Sequence, residues 1–441
     1  MKVYIRTLGC EKNTVDSENA AALLVSAGCS IVESPEEADV FIVNTCGFIN
    51  DAKTQSIEAI FDLSRIKTEG KKLIVTGCLS QRYIAELEKE MPEVDAFLGV
   101  NNYKDLPDIV LGRNEIRCMA GKASSVYEEL GKRVRSTAPW TRSIKIAEGC
   151  SNNCSYCIIP SIRGRYRSRT EESIIAEAQQ LAAEGCKELV IIAQDVTFYG
   201  NDLGKRDALP QLLDKLSNID GIEWIRLMYC YEDEISDKLI ETIRNNNKIC
   251  KYIDIPLQHI SSRVLKDMDR KSTSESIKST ITKLRTLIPD IAIRTTLICG
   301  FPGETKEDFQ ELFDFVRDTQ FERLGAFAYS KEEGTKAALM KNQIRSDVKQ
   351  RRWEKIMQLQ RQIALKNNRK LIGKTLRVLV EDIEDDSTYI GRSYMDAPDI
   401  DDSVIFTSQT PLKPGDFADV YITDAFDYDI TGKAVFNEST K

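Results

Sequence analysis

The chain has 441 residues, of which 42% are hydrophobic and 29% charged, with a net charge of −8. This composition is ordinary for a soluble protein of two or three domains, and the charge by itself indicates no nucleic-acid partner. No apolar run approaches the roughly 18 to 20 residues that a membrane span needs, and the start, MKVYIRTLGC, lacks a signal-peptide pattern. We therefore predict a cytoplasmic protein with no membrane contact.

The chain has twelve cysteines and one histidine, His259, and these counts limit the kinds of metal site that it can form. Because the cytosol keeps thiols reduced, this cysteine content favours metal or catalytic roles over a disulfide framework. A single histidine argues against a His-rich zinc site and a two-histidine iron site. Sulfur is the predicted metal ligand.

Residues 1–111 alternate short apolar strands with helical patterns. The predicted strands are KVYIRTLG, DVFIVNTCG, KKLIVTGC and DAFLGV, with helices in SENAAALLVSAG and near residues 51–66. This alternation predicts a doubly wound α/β domain with a mainly parallel sheet. Residues 112–139, rich in Gly, Ser, Lys and Glu, are predicted to form a linker.

Three cysteines each end one of these strands, in TLGC, VNTCGF and VTGC: Cys10, Cys46 and Cys78. The carboxyl ends of parallel strands line one crevice, so these thiols are expected to converge although 35 and 31 residues separate them. One buried cysteine alone would indicate packing, but the repetition favours an N-terminal iron-sulfur cluster. Small neighbours would let the backbone approach it: Gly9, Gly47 and Gly77.

Residues 140–335 contain six strand candidates with helices between them: RSIKIAEG, ELVIIAQD, WIRLMYC, YIDIPLQ, IAIRTTLICG and RLGAFAYS. A closed eight-repeat barrel usually needs roughly 250 residues, so six repeats predict an open, partial (βα)6 barrel.

The loop after the first of these strands carries Cys150, Cys154 and Cys157 in CxxxCxxC spacing. A structural zinc site needs four closed ligands, and no fourth cysteine or histidine lies nearby in the sequence, whereas a [4Fe-4S] cluster can leave one iron open for another molecule. The spacing therefore favours a cluster over a zinc knuckle. The remaining cysteines are predicted to pack in cores: Cys29, Cys118, Cys186, Cys230, Cys250 and Cys299.

The C-terminal third changes character twice. Within residues 336–370, the predicted connecting segment, the stretch 341–370 has apolar residues at helical spacing and ten basic against two acidic residues, which predicts one basic helix. Residues 371–441 contain short strands such as TLRVLVEDI and FADVYITDA and carry six basic against fifteen acidic residues, a net charge of −9. We predict a small, acidic, antiparallel β-barrel.

The motif CxxxCxxC followed by IIPSIRGRYRSR resembles the signature of the radical S-adenosylmethionine superfamily. The resemblance implies a partial βα barrel with the cluster at its top. It also implies that the amino and carboxylate groups of S-adenosylmethionine chelate the open iron, and that cleavage yields a 5′-deoxyadenosyl radical.

Over its full length the chain resembles the methylthiotransferases, with an N-terminal cluster domain, a radical domain and a terminal TRAM domain. Segments such as TLGCEKNTVDSE, AQDVTFYG, YIDIPLQHISSRVLKDMDR and ICGFPGET are similar to members that modify an aspartate of ribosomal protein S-12. This implies two [4Fe-4S] clusters, two S-adenosylmethionine molecules per turnover and 3-methylthioaspartate as product. Three residues depart from many relatives: Glu11 and Glu232, where proline is expected, and Tyr156, where phenylalanine is frequent.

Further residues are predicted to contact ligand. Asp195, at the end of the second barrel strand, and the loop from Gly300 to Glu304 lie where barrel enzymes bind ligands, so we assign them to the S-adenosylmethionine pocket, although turn chemistry alone would also explain the loop. Four arginines could each bind a carboxylate of the cofactor or the substrate through two N–H groups, although some of them are expected to be ordinary surface charges: Arg163, Arg165, Arg167 and Arg169. His259, beyond a barrel strand, could serve in the site or in the structure.

The expected partners are S-12, an electron donor such as flavodoxin or ferredoxin, and a sulfur source. A C-terminal barrel that held tRNA should be basic to neutralise phosphates, so the charge of −9 argues against direct tRNA binding. Two alternatives stay open: a methylthiotransferase acting on a tRNA adenosine, and a non-catalytic iron-sulfur sensor or scaffold.

Overall fold

The computed structural model describes residues 1–131 and 133–435. Residue 132 of the predicted linker and residues 436–441 of the predicted C-terminal domain lie outside the described residues. No helix in the described ranges is both long and apolar enough to cross a membrane.

The N-terminal domain is a six-stranded parallel sheet in the order β2-β1-β3-β4-β5-β6, with helices on both faces. Its elements are β1 (Lys2–Thr7), α1 (Glu11–Ser26), β2 (Ser30–Val32), β3 (Val40–Thr45), α2 (Asn50–Ile66), β4 (Lys72–Gly77), α3 (Cys78–Glu90), β5 (Ala96–Leu98), α4 (Leu106–Val110) and β6 (Cys118–Met119). The predicted doubly wound domain is confirmed. The short strands β2 and β6 were not predicted, and β6 lies within the predicted linker 112–139.

The sheet is stable because its central strands are apolar on both faces. All six residues of β3 are buried. Alternate residues enter opposite cores: Ile42 and Ile74 pack on the side of α1, whereas Phe41 and Val75 pack on the side of α2 and α3. This arrangement is typical of a parallel sheet covered by helices on both faces.

The central domain is a second parallel sheet, in the order β14-β13-β12-β11-β10-β7, wrapped by helices on its outer face. Its elements are β7 (Thr141–Lys145), β8 (Ala147–Glu148), α5 (Ile159–Arg163), β9 (Arg167–Ser168), α6 (Glu171–Ala183), β10 (Glu188–Ile192), α7 (Ala208–Ser217), β11 (Trp224–Leu227), α8 (Asp237–Asn245), β12 (Ile249–Gln258), α9 (Ser262–Asp267), α10 (Ser274–Leu287), β13 (Ala292–Cys299), α11 (Lys306–Thr319) and β14 (Arg323–Ala328). The six predicted strands and the partial barrel are confirmed.

A long helix, α12 (Ser346–Arg369), follows the central sheet and confirms the predicted basic helix. Its residues Ile356 and Ile363 are buried in the same core as α11. Trp353 donates a hydrogen bond from Nε1 to the carbonyl of Ala326 in β14 (2.8 Å). The apolar side of α12 therefore covers the edge of the sheet, and its basic residues lie mostly on the other side.

The C-terminal domain is a closed five-stranded barrel in the order β15-β16-β17-β19-β18. Its strands are β15 (Thr375–Ile383), β16 (Thr388–Ser393), β17 (Val404–Thr407), β18 (Phe417–Ala425) and β19 (Ile430–Val435). The predicted small barrel is confirmed, with one difference: β17 and β19 pair in parallel, while the other neighbours are antiparallel.

The C-terminal barrel packs against the inner face of the central sheet, where the strands begin. Trp224, the first residue of β11, shares a core with Val378 and Phe406 of the barrel. Glu188, the first residue of β10, is fully buried and accepts hydrogen bonds from Arg226 (2.7 Å) and Arg392 (2.6 Å). The amino ends of the strands are thus covered, and the carboxyl ends face the N-terminal domain.

Candidate active site

The first cysteine triad lies at the carboxyl edge of the N-terminal sheet. Cys10 follows β1, Cys46 follows β3 and Cys78 begins α3 directly after β4. These three strands are neighbours in the sheet. The strand order reverses between β1 and β3, and such a reversal opens a crevice in which α/β sheets bind ligands.

Close backbone contacts and the mutual effect of the thiols on the pKa of Cys78 both indicate that the three thiols lie near one another. A Cβ atom added to Gly9 would lie 2.8 Å from Cβ and 3.1 Å from Sγ of Cys46, and one added to Gly47 would lie 2.9 Å from the carbonyl carbon of Cys78. Burial raises the pKa of the Cys78 thiol to about 11; Arg163 opposes the rise, and the neighbouring Cys10 and Cys46 thiols add to it. The glycines therefore leave the room that the triad needs.

The second triad lies in one loop between β8 and α5. Cys150 and Cys154 are buried and Cys157 is half-buried. Burial raises the pKa of Cys157 to about 12, and the nearby Cys154 and Cys150 thiols add to the rise. The loop closes on itself, since the amide of Cys157 donates to the carbonyl of Cys154 (3.0 Å). The amide of Ile159 donates to Sγ of Cys157 (3.4 Å).

Both donor sets fit an iron-sulfur cluster with three protein ligands. All twelve cysteines are free thiols. In the described ranges, no three His, Cys, Asp or Glu side chains converge closely enough to hold a single metal ion. A [4Fe-4S] cluster takes one thiolate per iron, so its ligands lie further apart than those of one ion. The assignment of the six cysteines as ligands stays a prediction that these contacts support.

The remaining cysteines behave as core residues. Five of them are buried: Cys29, Cys186, Cys230, Cys250 and Cys299. Cys118, in the edge strand β6, is half-buried and packs against the core on the side of α2 and α3. Their packing agrees with the interpretation that only six of the twelve thiols face the site.

Arg163, the last residue of α5, connects the two triads. The side chain is 3% exposed. Its Nη2 donates to Oδ1 of Asn13 (2.7 Å) and to Sγ of Cys78 (3.4 Å) in the N-terminal domain. Its Nη1 donates to Asp16 (2.9 Å) and Glu148 (3.0 Å). The helix that follows the second triad therefore reaches a cysteine of the first.

Two groups of ion pairs hold the domains face to face. Lys145, at the end of β7, donates to the same two carboxylates as Arg163, those of Asp16 and Glu148. Elsewhere on the interface, Glu332, beyond β14, pairs with Lys53 of α2 (2.8 Å) and Arg82 of α3 (3.1 Å). Removing these charges from water costs free energy, which is recovered only when each charge meets its partner. The pairs therefore favour one relative position of the two domains.

Lys12 lies in the same crevice, two residues after Cys10. It is 7% exposed, and its Nζ lies 3.1 Å from the ring centroid of Tyr229, just beyond β11. Within residues 1–131 and 133–435, Nζ has no hydrogen-bond acceptor. Burial lowers the pKa of the ammonium, and the charges of Cys10 and Glu11 oppose that effect.

Asp195 lies just beyond β10 and contacts the loop of the second triad. Its carboxylate accepts hydrogen bonds from Asn152 (3.0 Å) and Thr197 (2.7 Å). Burial raises the pKa of Asp195 to about 6, although those two hydrogen bonds oppose the rise. Asn152 also lines a cavity of about 440 Å³ together with Cys154 and Tyr231. A cavity of this size can hold a nucleoside-sized ligand.

Gly300, Glu304 and His259 form a separate group of contacts. The Glu304 carboxylate accepts hydrogen bonds from the amides of Gly300 (2.7 Å) and Phe301 (3.2 Å) and also binds Arg352 of α12. His259 is fully buried, with Nδ1 accepting from the amide of Ser261 (3.0 Å) and Nε2 3.6 Å from Glu304. These contacts support a structural role for the loop, and its contact with the cofactor stays a prediction.

The four predicted arginines divide by position. Only Arg163 reaches a cysteine in the described structure. Arg167 is buried and donates to the carbonyls of Arg163 (3.1 Å) and Arg165 (2.7 Å), so it stabilises the loop. Arg169 pairs with Glu129 (2.9 Å) and with Glu177. Arg165 is exposed.

Sequence reasoning missed the polar residues of α1. Lys12, Asn13 and Asp16 are buried on one side of this helix. Asn13 donates to the carbonyls of Leu8 (2.8 Å) and Thr45 (3.1 Å) and so ties the first triad together. A row of polar residues at helical spacing directly after a cysteine could have revealed them. An ordinary amphipathic helix buries its apolar face, so polar residues on the buried face indicate a site.

Three parts of the chain match known families. Residues 144–316 match the radical SAM superfamily, residues 372–435 match the TRAM domain, and residues 2–99 match the uncharacterized protein family UPF0004. Together with the partial barrel and its CxxxCxxC loop, these matches define a radical S-adenosylmethionine enzyme that carries a second cysteine triad.

Relatives of nearly equal length identify the family. A protein of Thermoanaerobacter sp. is 48% identical over 98% of this chain and 99% of its own length. One of Caldanaerobacter subterraneus is 51% identical over 98% and 99%, and one of Clostridium acetobutylicum is 49% identical over 100% and 99%. Each is named ribosomal protein uS12 methylthiotransferase RimO, and the chain belongs to this family.

Solved structures share the fold. The radical S-adenosylmethionine methyltransferase TsrM of Kitasatospora setae covers 74% of this chain, with 72% of its own length aligned, a TM-score of 0.53 and 15% identity. The cobalamin-dependent radical enzyme OxsB covers 81% of this chain, with 56% of its own length aligned, a TM-score of 0.51 and 13% identity. At such identities the likeness concerns the fold alone.

Proposed function

We propose that this chain transfers a methylthio group to the β-carbon of an aspartate in ribosomal protein uS12, with 3-methylthioaspartate as the product. One observation carries the proposal: two cysteine triads lie at facing strand ends, and Arg163 spans from the loop of one to Sγ of Cys78 in the other (3.4 Å). Moving a group onto a carbon radical requires both reacting parts to be held close together. A crevice between two triads provides that arrangement.

The residues assigned to the cofactors follow from their positions. Cys10, Cys46 and Cys78 would hold one [4Fe-4S] cluster, and the CxxxCxxC loop 150–157 would hold the other. When bound, the clusters and two molecules of S-adenosylmethionine per turnover supply the methylthio group and a hydrogen-abstracting radical. Asp195, held by Asn152 beside the second triad (3.0 Å), would orient S-adenosylmethionine.

The chain's own contribution is to orient the reactants and exclude water. The crevice walls are formed by buried side chains, among them Lys12, Asp16, Lys145 and Arg163. Removing bulk water from such a site strengthens its electrostatic interactions and protects a reactive intermediate from side reactions.

The charge of the C-terminal barrel favours a protein substrate over tRNA. With six basic and fifteen acidic residues, segment 371–441 would repel phosphates and suit a basic ribosomal protein. The further partners we propose are an electron donor such as flavodoxin or ferredoxin and a separate sulfur source. Twelve free thiols support a reducing, cytoplasmic location.

Mass spectrometry of uS12 tests the proposal. We expect the target peptide to carry a methylthio group in cells that contain the gene and to lack it after deletion. Complementation with the intact gene should restore the modification, whereas a gene encoding Cys154→Ala should not. An unmodified uS12 peptide in all strains would overturn the ribosomal assignment, and loss of a methylthio nucleoside from tRNA in the deletion strain would establish the tRNA alternative instead.

A further inference from the structure

Lys12 differs from Arg163 and Lys145, the two other cations of the crevice walls. Arg163 and Lys145 each bind Asp16 and Glu148. The Lys12 ammonium is 7% exposed, yet among the residues that the structure describes it has no hydrogen-bond acceptor. Burying an amino group without a hydrogen-bond acceptor is unfavourable, because the group loses its hydration and gains no partner. The structure tolerates this cost in a crevice where a ligand is expected.

The position of Lys12 is well defined. Its Nζ lies over the Tyr229 ring, 3.1 Å from the centroid, which offsets part of the desolvation cost. Tyr229 is itself anchored, because its amide donates to Oδ2 of Asp254 (3.0 Å). The ammonium is thus held between the first triad and the carboxyl end of β11, where a partial barrel binds its reactants.

Neighbouring acids are engaged with other groups. Glu11 accepts a hydrogen bond from Oγ of Ser143 (3.2 Å). Asp254 accepts from Arg294 (2.9 Å) as well as from the amide of Tyr229. Neither carboxylate hydrogen-bonds Lys12 in the described structure. Within the described residues, these two carboxylates therefore leave the ammonium available to an anion that enters the crevice.

We infer that Lys12 binds the side-chain carboxylate of the substrate aspartate and so determines which residue is modified. The inference rests on the proposed function and adds the recognising residue to it. In aspartate the carboxylate is bonded directly to the β-carbon, so a cation that holds the carboxylate also positions the carbon that reacts. A charge-assisted hydrogen bond in a buried site also rejects the neutral amide of asparagine and any nucleobase.

The first test compares two uS12 peptides, one with aspartate and one with asparagine at the target position, on the reconstituted enzyme. We expect fluorescence anisotropy to show that the wild-type enzyme binds the aspartate peptide about 10- to 100-fold more tightly, the range expected for a hydrogen bond to a charged group. Lys12→Gln should weaken binding of the aspartate peptide to the level of the asparagine peptide and leave the latter unchanged. Equal binding of both peptides by the wild-type enzyme would overturn the inference.

Controls separate recognition from folding and from radical chemistry. Lys89→Gln, at an exposed lysine of α3 in the same domain, should keep the wild-type preference. Lys12→Gln should retain its iron content and its formation of 5′-deoxyadenosine. A Lys12→Gln enzyme with intact clusters and an undiminished preference for aspartate would contradict the inference.

A second measurement needs no variant and so remains decisive if Lys12→Gln does not fold. A carbodiimide couples a carboxylate to an amine that lies against it, with loss of a urea. On the wild-type enzyme with the aspartate peptide, we expect mass spectrometry to find the target side chain linked to Lys12. Coupling confined to other lysines would overturn the inference. If uS12 is modified in cells while coupling misses Lys12, the proposed function stands and the inference alone fails.

Discussion

The two cysteine triads bring three thiols together in opposite ways. Cys150, Cys154 and Cys157 lie within eight residues of one loop, whereas Cys10, Cys46 and Cys78 span 69 residues and follow three different strands. The loop triad is defined by local backbone hydrogen bonds, such as that from the amide of Cys157 to the carbonyl of Cys154 (3.0 Å). The strand-end triad exists only when β1, β3 and β4 pair in register. One site is therefore local, and the other depends on the whole domain.

The largest expected difference between the triads is in whether their loss stops 5′-deoxyadenosine formation. Cys154→Ala should abolish both 5′-deoxyadenosine formation and product, because we propose that the loop triad holds the cluster that generates the radical. Cys46→Ala should abolish product but keep 5′-deoxyadenosine formation, because the loop triad is intact. Each variant should lose about four of about eight irons per chain, one cluster's content. Iron analysis and chromatography of the nucleoside measure both effects.

Cys250→Ala is the matched control for these variants. Cys250 is 3% exposed and belongs to the core shared with the C-terminal barrel. Its replacement should cost about 1 to 2 kcal/mol of stability through lost packing and leave both iron content and activity unchanged. Loss of 5′-deoxyadenosine formation in Cys46→Ala would contradict the division of labour between the triads.

A second prediction concerns the connection between the triads. Arg163→Met removes the guanidinium that binds Asp16 and Glu148, which leaves buried carboxylates with one cation fewer. We expect a loss of about 3 to 5 kcal/mol in the free energy of unfolding, measured by denaturant titration under anaerobic conditions. Product formation should fall more than 5′-deoxyadenosine formation, because the contact that keeps the two triads at a constant distance is lost.

Arg165→Met provides the contrast, since Arg165 is exposed on the same loop. It should change stability by no more than about 0.5 kcal/mol. If Arg163→Met lowers product formation and 5′-deoxyadenosine formation to the same extent, Arg163 does not link the two triads.

The smallest predicted effect tests how much room the strand-end triad needs. Gly9 (φ +94°) and Gly28 (φ +91°) have nearly the same positive φ, so alanine at either position costs about 1 kcal/mol through strain. A Cβ at Gly9 would also lie 2.8 Å from Cβ of Cys46, whereas a Cβ at Gly28 meets no described atom within 4 Å. Gly9→Ala should therefore lower the iron content of the strand-end cluster, and Gly28→Ala should not. Equal iron content in both variants would mean that the triad tolerates the added methyl group.

Much of the fold followed from the sequence because strands and helices there have strong apolar patterns. The six central strands, the basic helix and the two C-terminal segments TLRVLVEDI and FADVYITDA were predicted at their observed places. The strands β2 and β6 were missed, because segments of three and two residues carry no usable period. Their pairing is decided by the neighbouring strands.

The part of the site formed by repeated cysteines could be predicted from the sequence. The contacts between side chains of different domains could not. Arg163 was selected only as one of four arginines, and nothing in its local sequence distinguishes it from the exposed Arg165. Glu304 was assigned to a pocket by its place after a barrel strand, yet its carboxylate binds Arg352, 48 positions away. Such contacts depend on packing between distant elements.

By itself, the sequence determined the class of chemistry, because cysteine spacing and strand-end position limit which atoms can bind iron. It also determined the two α/β sheets and the acidic barrel through periodicity and charge. Only the tertiary structure decided which charges meet. It placed Arg163 against Cys78 and left the Lys12 ammonium buried over Tyr229. The physical reason is that pairing and desolvation of charges depend on the docking of whole domains, which no local pattern encodes.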